Sequence, residues 1–296
     1  MPLDPTLQMP ARFRKVLERC RPFILVTREN RPFIDEHPFG LDVPPELIFD
    51  PMSLRSARFL DHLEKLDALS FGPHGMPMPR WVFYDCAEVP TAVFGFVAEA
   101  KLLAPEMRHA FGVPYPDDTP IPVWMYMAVP TIDPHVFFGH NLSSIGRSVE
   151  PHEGGLSGLG TVTKALCMKL LRITSLVAAT QWDSAALHIH IKFGPVAVVT
   201  AYTPAHTFPR TLTYRHEVTD ETLRRVLAGE PPPPTEGASR TVRAHDDLAL
   251  QALKEELERD GTPYRYRVAT GPLPDENGQL EVRVVRSADP RAPTGR

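Results

Sequence analysis

The chain has 296 residues, 43% of them hydrophobic, which is enough for one large domain core or for one core with an appendage. With a formal net charge of −4 and no basic stripe, the composition argues against a nucleic-acid backbone as a partner. The cysteines, Cys20, Cys86 and Cys167, are far apart and form no CxxC pair, which argues against a disulfide framework or a thiolate zinc site and favours the cytoplasm.

The N-terminal segment, residues 1–22, carries Arg12, Arg14, Lys15 and Arg19 among apolar positions, a pattern that predicts a short amphipathic helix. It lacks the long apolar centre of a signal peptide. Elsewhere no apolar run approaches the ~18 residues that a membrane-spanning helix needs, so we expect no membrane span.

The main body, residues 23–230, has the pattern of one α+β domain. Apolar periodicity predicts helices at 53–69 and 162–172. Apolar or alternating runs predict strands at 23–27, 81–86, 92–103, 121–132, 175–181, 196–202 and 211–216. We expect 81–86 and 92–103 to form a hairpin, and 121–132, the most hydrophobic run, to be central and buried on both faces. Together these elements predict a mixed, mainly antiparallel central sheet flanked by helices.

The segment 183–194 fits two different structures. The alternation of His188 and His190 with isoleucines favours a strand. Apolar residues at helical spacing around His190 also match a helix face, which Asp183 or Ser184 would cap. The local pattern does not decide between them.

The C-terminal part begins with a Pro-rich linker at 231–240. Residues 241–288 predict a helix over 246–260 followed by a two-stranded ribbon. A helix and a two-stranded ribbon of this size bury too little surface to be stable on their own. We therefore expect it to pack on the main body or on another subunit, which leaves a homodimer open. The tail at 289–296 is expected to be disordered.

A glycine-rich loop at 154–161 (GGLSGLGT) separates a strand-like run from the helix-like run at 162–172. Glycines at such a junction let backbone N–H groups converge at a helix N-terminus, where the dipole favours phosphate. The loop therefore predicts a cofactor with a pyrophosphate, and the alternative is a flexible loop with a helix cap. A Walker loop is excluded because Thr161, not lysine, follows Gly160.

The order of elements from Phe23 to Val218 resembles the GNAT N-acyltransferase superfamily, which binds acyl-coenzyme A at the loop after its fourth strand. The family's Arg/Gln-x-x-Gly-x-Gly/Ala loop aligns with residues 155–160: Gly158 and Gly160 match, and Gly155 replaces the leading Arg/Gln. A second family motif, Asn-x-x-Ala-x-x-x-Tyr-x-x-x-Gly, has the spacing of 183–194, with aspartate and histidine in place of its asparagine and tyrosine.

This resemblance implies an acyl-CoA co-substrate, acetyl-CoA or longer, and no metal. The implied pyrophosphate site comprises Gly155, Gly158, Leu159, Gly160 and Thr161. If 121–132 is the fourth strand, the backbone N–H of Ala128 or Val129 would polarise the thioester carbonyl. Residues 131–153 would then be an insertion, which either shapes the acceptor pocket or forms a surface excursion.

Direct acyl transfer needs a base for the amine, a polarised carbonyl and a proton for the departing thiolate. His190 stands at the place of the family's tyrosine and would supply that proton, although an ordinary core histidine is the alternative. Glu153 and His140, in the insertion, are the candidate bases.

The leading hypothesis is therefore an acyl-CoA-dependent N-acyltransferase that acts on an amine of a small or medium acceptor molecule. A non-catalytic binding or assembly protein on the same scaffold is one alternative. A metal-dependent enzyme is another, with His188 and His190 of one strand joined by His152, Glu153 or His206.

Overall fold

The computed structural model describes residues 14, 17–36, 43–89, 92–112, 116, 118–133, 136–145, 158–259 and 264–287. The chain divides into two compact units. The first comprises the described residues up to Pro130, His140–Arg172 and Leu227–Gly229; the second comprises Thr131–Gly139, Ile173–Val226 and the described residues from Glu230 onward. The chain passes between the units several times, the last time between Gly229 and Glu230, just before the predicted linker at 231–240.

The first unit holds these strands and helices, in chain order: β1 (Cys20–Leu25), α1 (Arg31–Glu36), β2 (Ile48–Phe49), α2 (Ala57–Phe71), α3 (Trp81–Ala87), β3 (Val93–Glu99), α4 (Pro105–Phe111), β4 (Pro120–Pro130), the last five residues of β5 (Val136–Ser144) and α5 (Leu159–Leu170). Its strand order is β2-β1-β3-β4-β5, in which β1 and β2 are parallel while β3 is antiparallel to both β1 and β4. Most of the predicted N-terminal helix lies outside the described residues, and its last part belongs to β1.

Strand β4 is central in this unit, as its hydrophobicity predicted, and most of its residues are buried. The helix predicted at 53–69 is confirmed as α2, whose Phe59 ring packs edge-on against Phe23 of β1, with the ring centroids 5.0 Å apart. Gly95 of β3 lies directly under this contact. A Cβ at that position would collide with the Phe23 ring and with the carbonyl oxygen of Trp124, so only glycine fits.

The strand predicted at 81–86 is wrong, because these residues form helix α3. The buried side chains are Val82, Phe83, Cys86 and Ala87, a spacing that lines one face of a helix and not of a strand. The expected hairpin with 92–103 therefore does not exist, and β3 pairs with β1 and β4 instead.

The predicted insertion, 131–153, contains a strand that the sequence analysis missed. Strand β5 covers Val136–Ser144 and follows β4 through a short turn, in which the N–H of Thr131 donates to the carbonyl of Val136 at 3.0 Å. Residues 146–157, which include most of the glycine-rich loop, lie outside the described residues.

The second unit holds the first four residues of β5 and the following elements: β6 (Ser175–Gln181), α6 (Leu187–His190), β7 (Val196–Thr200), β8 (Thr211–Glu217), α7 (Asp220–Ala228), β9 (Ala238–Arg243), α8 (Asp247–Arg259), β10 (Tyr266–Val268), β11 (Leu273–Pro274) and β12 (Leu280–Arg286). Its strand order is β5-β6-β8-β7-β10-β12, and both β9 and β11 pair with β12. Only the β5–β6 pair is parallel among the strand pairs described in this unit.

The predicted C-terminal helix and ribbon are part of this second unit. The ribbon strands β10 and β12 pair with each other, and β10 also pairs with β7 of the main body. Helix α8 buries Leu250, Leu253 and Leu257 in the same core, the apolar stripe that predicted it. Of the two expectations for the appendage, packing on the main body is therefore the one observed.

The predicted fold class is confirmed: the protein is a mixed α+β structure with a mostly antiparallel central sheet flanked by helices. The three cysteines are buried and form no disulfide bond. In the part of the chain that the structure describes, none of the helices combines the length and apolarity needed to cross a bilayer.

His62 of α2 gives the first unit a titratable core residue. The side chain is 2% exposed, its ring lies 6.0 Å from that of Phe111, and burial, with smaller contributions from Lys65 and Arg58, lowers its pKa to about 4. Between pH 6.5 and 4 the unfolded chain therefore binds a proton that the folded chain does not. We expect the free energy of unfolding to fall by about 3 kcal/mol as the pH drops through this window.

Replacing His62 by glutamine, which is similar in size but does not titrate, should reduce this loss of stability in urea unfolding curves recorded from pH 7 to pH 4. Equal pH slopes for the parent and the His62→Gln variant would contradict the prediction.

Candidate functional site

The N-terminus of α5 is the candidate phosphate site that the sequence predicted. Gly158 precedes the helix with φ 93° and ψ −10°, a left-handed conformation that glycine adopts without strain. The N–H of Val162 donates to the carbonyl of Gly158 at 3.1 Å, so the N–H groups of Leu159, Gly160 and Thr161 precede the first intrahelical hydrogen bond. Among the described residues, the first turn of the helix contains no acidic residue and its N-cap makes no side-chain hydrogen bond, so these residues do not offset the positive end of the helix dipole.

Helix α5 is held firmly, because nearly all its residues are buried. Even Lys164, one turn inside, has no exposed surface; its Nζ lies 5.9 Å from the centre of the Tyr126 ring of β4, and burial lowers its pKa to about 7. The direction in which the N-terminus points is thus fixed by packing against β4. The predicted site residues Gly155 and Glu153 lie outside the described residues.

The strand that directly precedes the glycine-rich loop is β5 and not β4. Ala128 and Val129 lie on β4, the fourth strand in chain order, and strand β5 stands between β4 and the glycine-rich loop. The N–H of Ala128 donates to the carbonyl of Ala92 at 3.0 Å, so it is not available to a thioester carbonyl. The strand next to the loop, where the resemblance implies those backbone positions, is therefore β5.

Strand β5 pairs in parallel with β6 over four residue pairs, from Val136 with Ser175 to Gly139 with Ala178. Beyond Gly139 the strand continues through His140 to Ser144 in the first unit. The imidazole of His140 is exposed to solvent, yet the surrounding protein lowers its pKa below 6.5 by desolvation. At pH 7 this ring is mainly neutral, as a proton acceptor must be.

A buried carboxylate fixes this part of β5 to α2. Asp67 of α2 has no exposed surface and accepts hydrogen bonds from the Nδ2 of Asn141 at 2.6 Å, the Oγ of Ser143 at 3.3 Å and the N–H of Met78 at 2.6 Å. Burial raises the pKa of Asp67, while the donors from Met78 and Ser143 act in the opposite direction. The sequence analysis did not identify this cluster. The one feature of the sequence that points to the cluster is Asp67 itself, a charged residue in the apolar stripe of a predicted helix.

His190 lies in the second unit, at the end of α6. Within the segment 183–194, α6 (Leu187–His190) continues into a 3-10 turn at Ile191–Phe193, so the strand interpretation of this segment is wrong. The His190 side chain is 6% exposed, and its ring packs against that of Tyr214 in β8, with the centroids 5.1 Å apart.

The metal hypothesis required His188 and His190 on one face of a strand. On a helix, residues two apart point in different directions, and the Nε2 of His188 instead lies 3.0 Å from the carbonyl oxygen of Pro272. Within the described ranges there is no group of three or more His, Cys, Asp or Glu side chains placed to hold a metal ion.

No protein-family model and no curated protein matches the sequence. Similar solved structures include aminoglycoside 6'-acetyltransferase type Ii, with 14% identity over 58% of this chain and 95% of that one and a TM-score of 0.38. The NatC complex bound to Gag peptide and CoA has 12% identity over 57% and 97%, with a TM-score of 0.40. The aminoglycoside 6'-N-acetyltransferase from Enterococcus faecium has 12% identity over 81% and 97%, with a TM-score of 0.30. Two of these structures are aminoglycoside acetyltransferases, and the third is a complex that contains CoA.

The raised pKa of Asp67 gives a pH dependence of stability. The folded chain holds the Asp67 proton more tightly than the unfolded chain, so the contribution of this residue to the free energy of unfolding falls as the pH rises from about 4 through the raised pKa. Asparagine at position 67 has no proton to lose. The difference in unfolding free energy, parent minus Asp67→Asn, should therefore decrease with rising pH in denaturant titrations, and an increase would refute the assignment.

Proposed function

We propose that the protein is an acyl-CoA-dependent N-acyltransferase that transfers an acyl group directly from the CoA thioester to an amine of a small or medium acceptor. The observation that carries the proposal is the order of elements around α5. Strands β3, β4 and β5 lead to the glycine-rich loop and α5, and β6 then pairs in parallel with β5 before α6, β7 and β8 complete the series. This is the order on which the resemblance to the N-acyltransferases was based.

The pyrophosphate of CoA would be bound at the N-terminus of α5. Backbone N–H groups of Leu159, Gly160 and Thr161 would meet the phosphates, with Gly158 turning the chain into the helix and Gly155 in the preceding loop. The backbone of β5 beyond Gly139 takes over the role first expected of Ala128 and Val129. We place the reaction in the cytoplasm and expect no metal to take part.

Two histidines have the chemistry for proton transfer. His140 is exposed and mainly neutral at pH 7, so it would accept a proton from the amine. His190 would donate a proton to the thiolate, as its position in the motif implies. Glu153 remains a second candidate base.

One observation favours the non-catalytic alternative. His190 is almost fully buried and contacts Tyr214, as an ordinary core histidine would. Release of free thiol from acyl-CoA in the presence of primary amines separates the two functions, because a binding or assembly protein would bind CoA without turnover.

Acetyl-CoA should raise the melting temperature of the parent protein, because a ligand of the native state stabilises it. Replacing Gly160 by valine would place a branched side chain among the N–H groups of the first turn. The dissociation constant for acetyl-CoA should then rise about tenfold or more, equivalent to about 1.4 kcal/mol. Isothermal titration calorimetry measures this directly.

The matched control is Gly278→Val, in the turn between β11 and β12, where φ is 76° and nothing lies within 4 Å of an added Cβ. This variant strains a turn but leaves α5 intact, so its acetyl-CoA affinity should equal that of the parent. Unchanged affinity in Gly160→Val, or no binding of acetyl-CoA or a longer acyl-CoA by the parent, would refute the proposed site.

His190→Phe removes the proposed acid while filling a similar volume. If His190 protonates the thiolate, turnover in the thiol-release assay should fall about 100-fold or more while acyl-CoA affinity stays nearly constant. His109→Phe, on the exposed side of α4, is the control for the same exchange and should retain parent turnover. Turnover within a few-fold of the parent in His190→Phe would assign His190 to packing alone.

A further inference from the structure

The side-chain amide of Asn141 is held in one orientation. Its Nδ2 donates to Asp67 Oδ1 at 2.6 Å and lies 3.7 Å from the sulfur of Met78, so both amide hydrogens have acceptors. Its Oδ1 accepts no hydrogen bond from any of the described residues, and the side chain is partly exposed. The nitrogen of this amide is thus fully engaged, while its oxygen is available to a ligand.

Asp67 determines this orientation. An ionised carboxylate only accepts hydrogen bonds, and the three donors around Asp67 satisfy both of its oxygens. The amide of Asn141 must therefore turn its nitrogen toward Asp67 and its oxygen away. Because a hydrogen bond to a carboxylate polarises the amide, Oδ1 also becomes a stronger acceptor.

Stability alone does not require a carboxylate at this place. Burying a carboxylate costs several kcal/mol, and an apolar side chain of similar size is often as stable or more so. Ser143 is fully buried, whereas Asn141 and Met78 are partly exposed. Asn141 is the member of the network whose side chain keeps an acceptor oxygen that no described residue uses.

We propose that Asn141 Oδ1 binds a primary ammonium group of the acceptor substrate, with Asp67 as its positioning residue. A cation is the favoured ligand because the carboxylate of Asp67, hydrogen-bonded to the nitrogen of the same amide, makes Oδ1 more negative. That this ligand is the acyl acceptor rests on the proposed function. Asn141 lies two residues along β5 from Gly139, the last residue paired with β6. Since neighbours on a strand point to opposite faces, the ammonium bound at Asn141 is not the amine that the proposed base, His140, would deprotonate, but a second ammonium group of the acceptor.

The test uses the full-length protein labelled with ¹⁵N and n-butylammonium chloride as the probe, at pH 7, with and without saturating acetyl-CoA. The Asn141 side-chain NH₂ resonances should shift and saturate as the probe binds. Asn141→Leu keeps a similar shape without the acceptor oxygen and should weaken binding at least tenfold. Asn277→Ala, in an exposed turn, is the control asparagine and should bind the probe as the parent does.

Asp67→Asn adds a second arm, because Asn141 is retained but its orientation and polarisation are lost; the probe should bind more weakly to this variant. If Asp67→Asn does not fold, Asn141→Leu alone decides. In the thiol-release assay with primary diamines as acceptors, which carry a reacting amine and a second ammonium group, Asn141→Leu should raise KM for the diamine with a smaller effect on kcat. Equal affinity of Asn141→Leu and the parent for the probe, or no binding by the parent in either condition, overturns the inference.

The two proposals fail separately. Absence of acyl-CoA binding refutes the acyltransferase function, whereas the ammonium site is decided by the titrations without acetyl-CoA. Loss of probe binding in Asn141→Leu together with intact acetyl-CoA binding supports both.

Discussion

The hydrogen bonds that fix strand β5 constrain every candidate residue that lies near its end. Its first four residues pair with β6, and the rest is tied to α2 by polar side chains: Asn141 to Asp67 at 2.6 Å, and the N–H of Ser144 to the Oγ of Ser70 at 2.9 Å. Apolar packing is not directional, whereas hydrogen bonds are. A strand held in this way presents its backbone and its side chains at defined angles, which a site for group transfer requires.

The buried carboxylate is the most costly part of this arrangement. Asp67 lies inside the unit with its charge far from solvent, and burial raises its pKa, so the folded state would be easier to form without it. Its three donors come from two separate segments: Asn141 and Ser143 from β5, and the N–H of Met78 from the loop before α3. Removing Asp67 would therefore leave several buried donors unsatisfied at once, which explains why the network behaves as a unit and not as separate pairs.

The element order could be predicted from the sequence only because two errors compensated. The aromatic run at 81–86 was assigned to a strand although its buried residues follow helical spacing, and β5 was assigned to an insertion although it is a strand. Aromatic and β-branched residues favour strands, but tertiary packing decides such short runs. In β5 the strand pattern was hidden by Gly139, His140 and Asn141, which are small or polar and interrupt the apolar run that begins at Val136.

The contacts around Asp67 were out of reach for a different reason. Asp67 and Asn141 are 74 residues apart in the chain, and periodicity describes only neighbours along the sequence. By contrast, the glycine-led N-terminus of α5 was predictable, because a turn, a left-handed glycine and the start of a helix are all local. Of the two interpretations of the segment around His190, the helical one is correct. The contact of His190 with Tyr214 could not be predicted, because it depends on the pairing of strands far away in sequence.

The first unit carries two features of opposite polarity. The N-terminus of α5 has no acidic residue in its first turn and presents the positive end of a buried helix dipole, which favours an anion. Asn141 presents an oxygen polarised by a buried carboxylate, which favours a cation. An acyl donor with phosphates is an anion, and an acceptor with a protonated amine is a cation. The two proposed substrates therefore differ in charge in the way that suits these two features. Each substrate would therefore be disfavoured at the site of the other. Electrostatics would then distinguish donor from acceptor before shape recognition contributes.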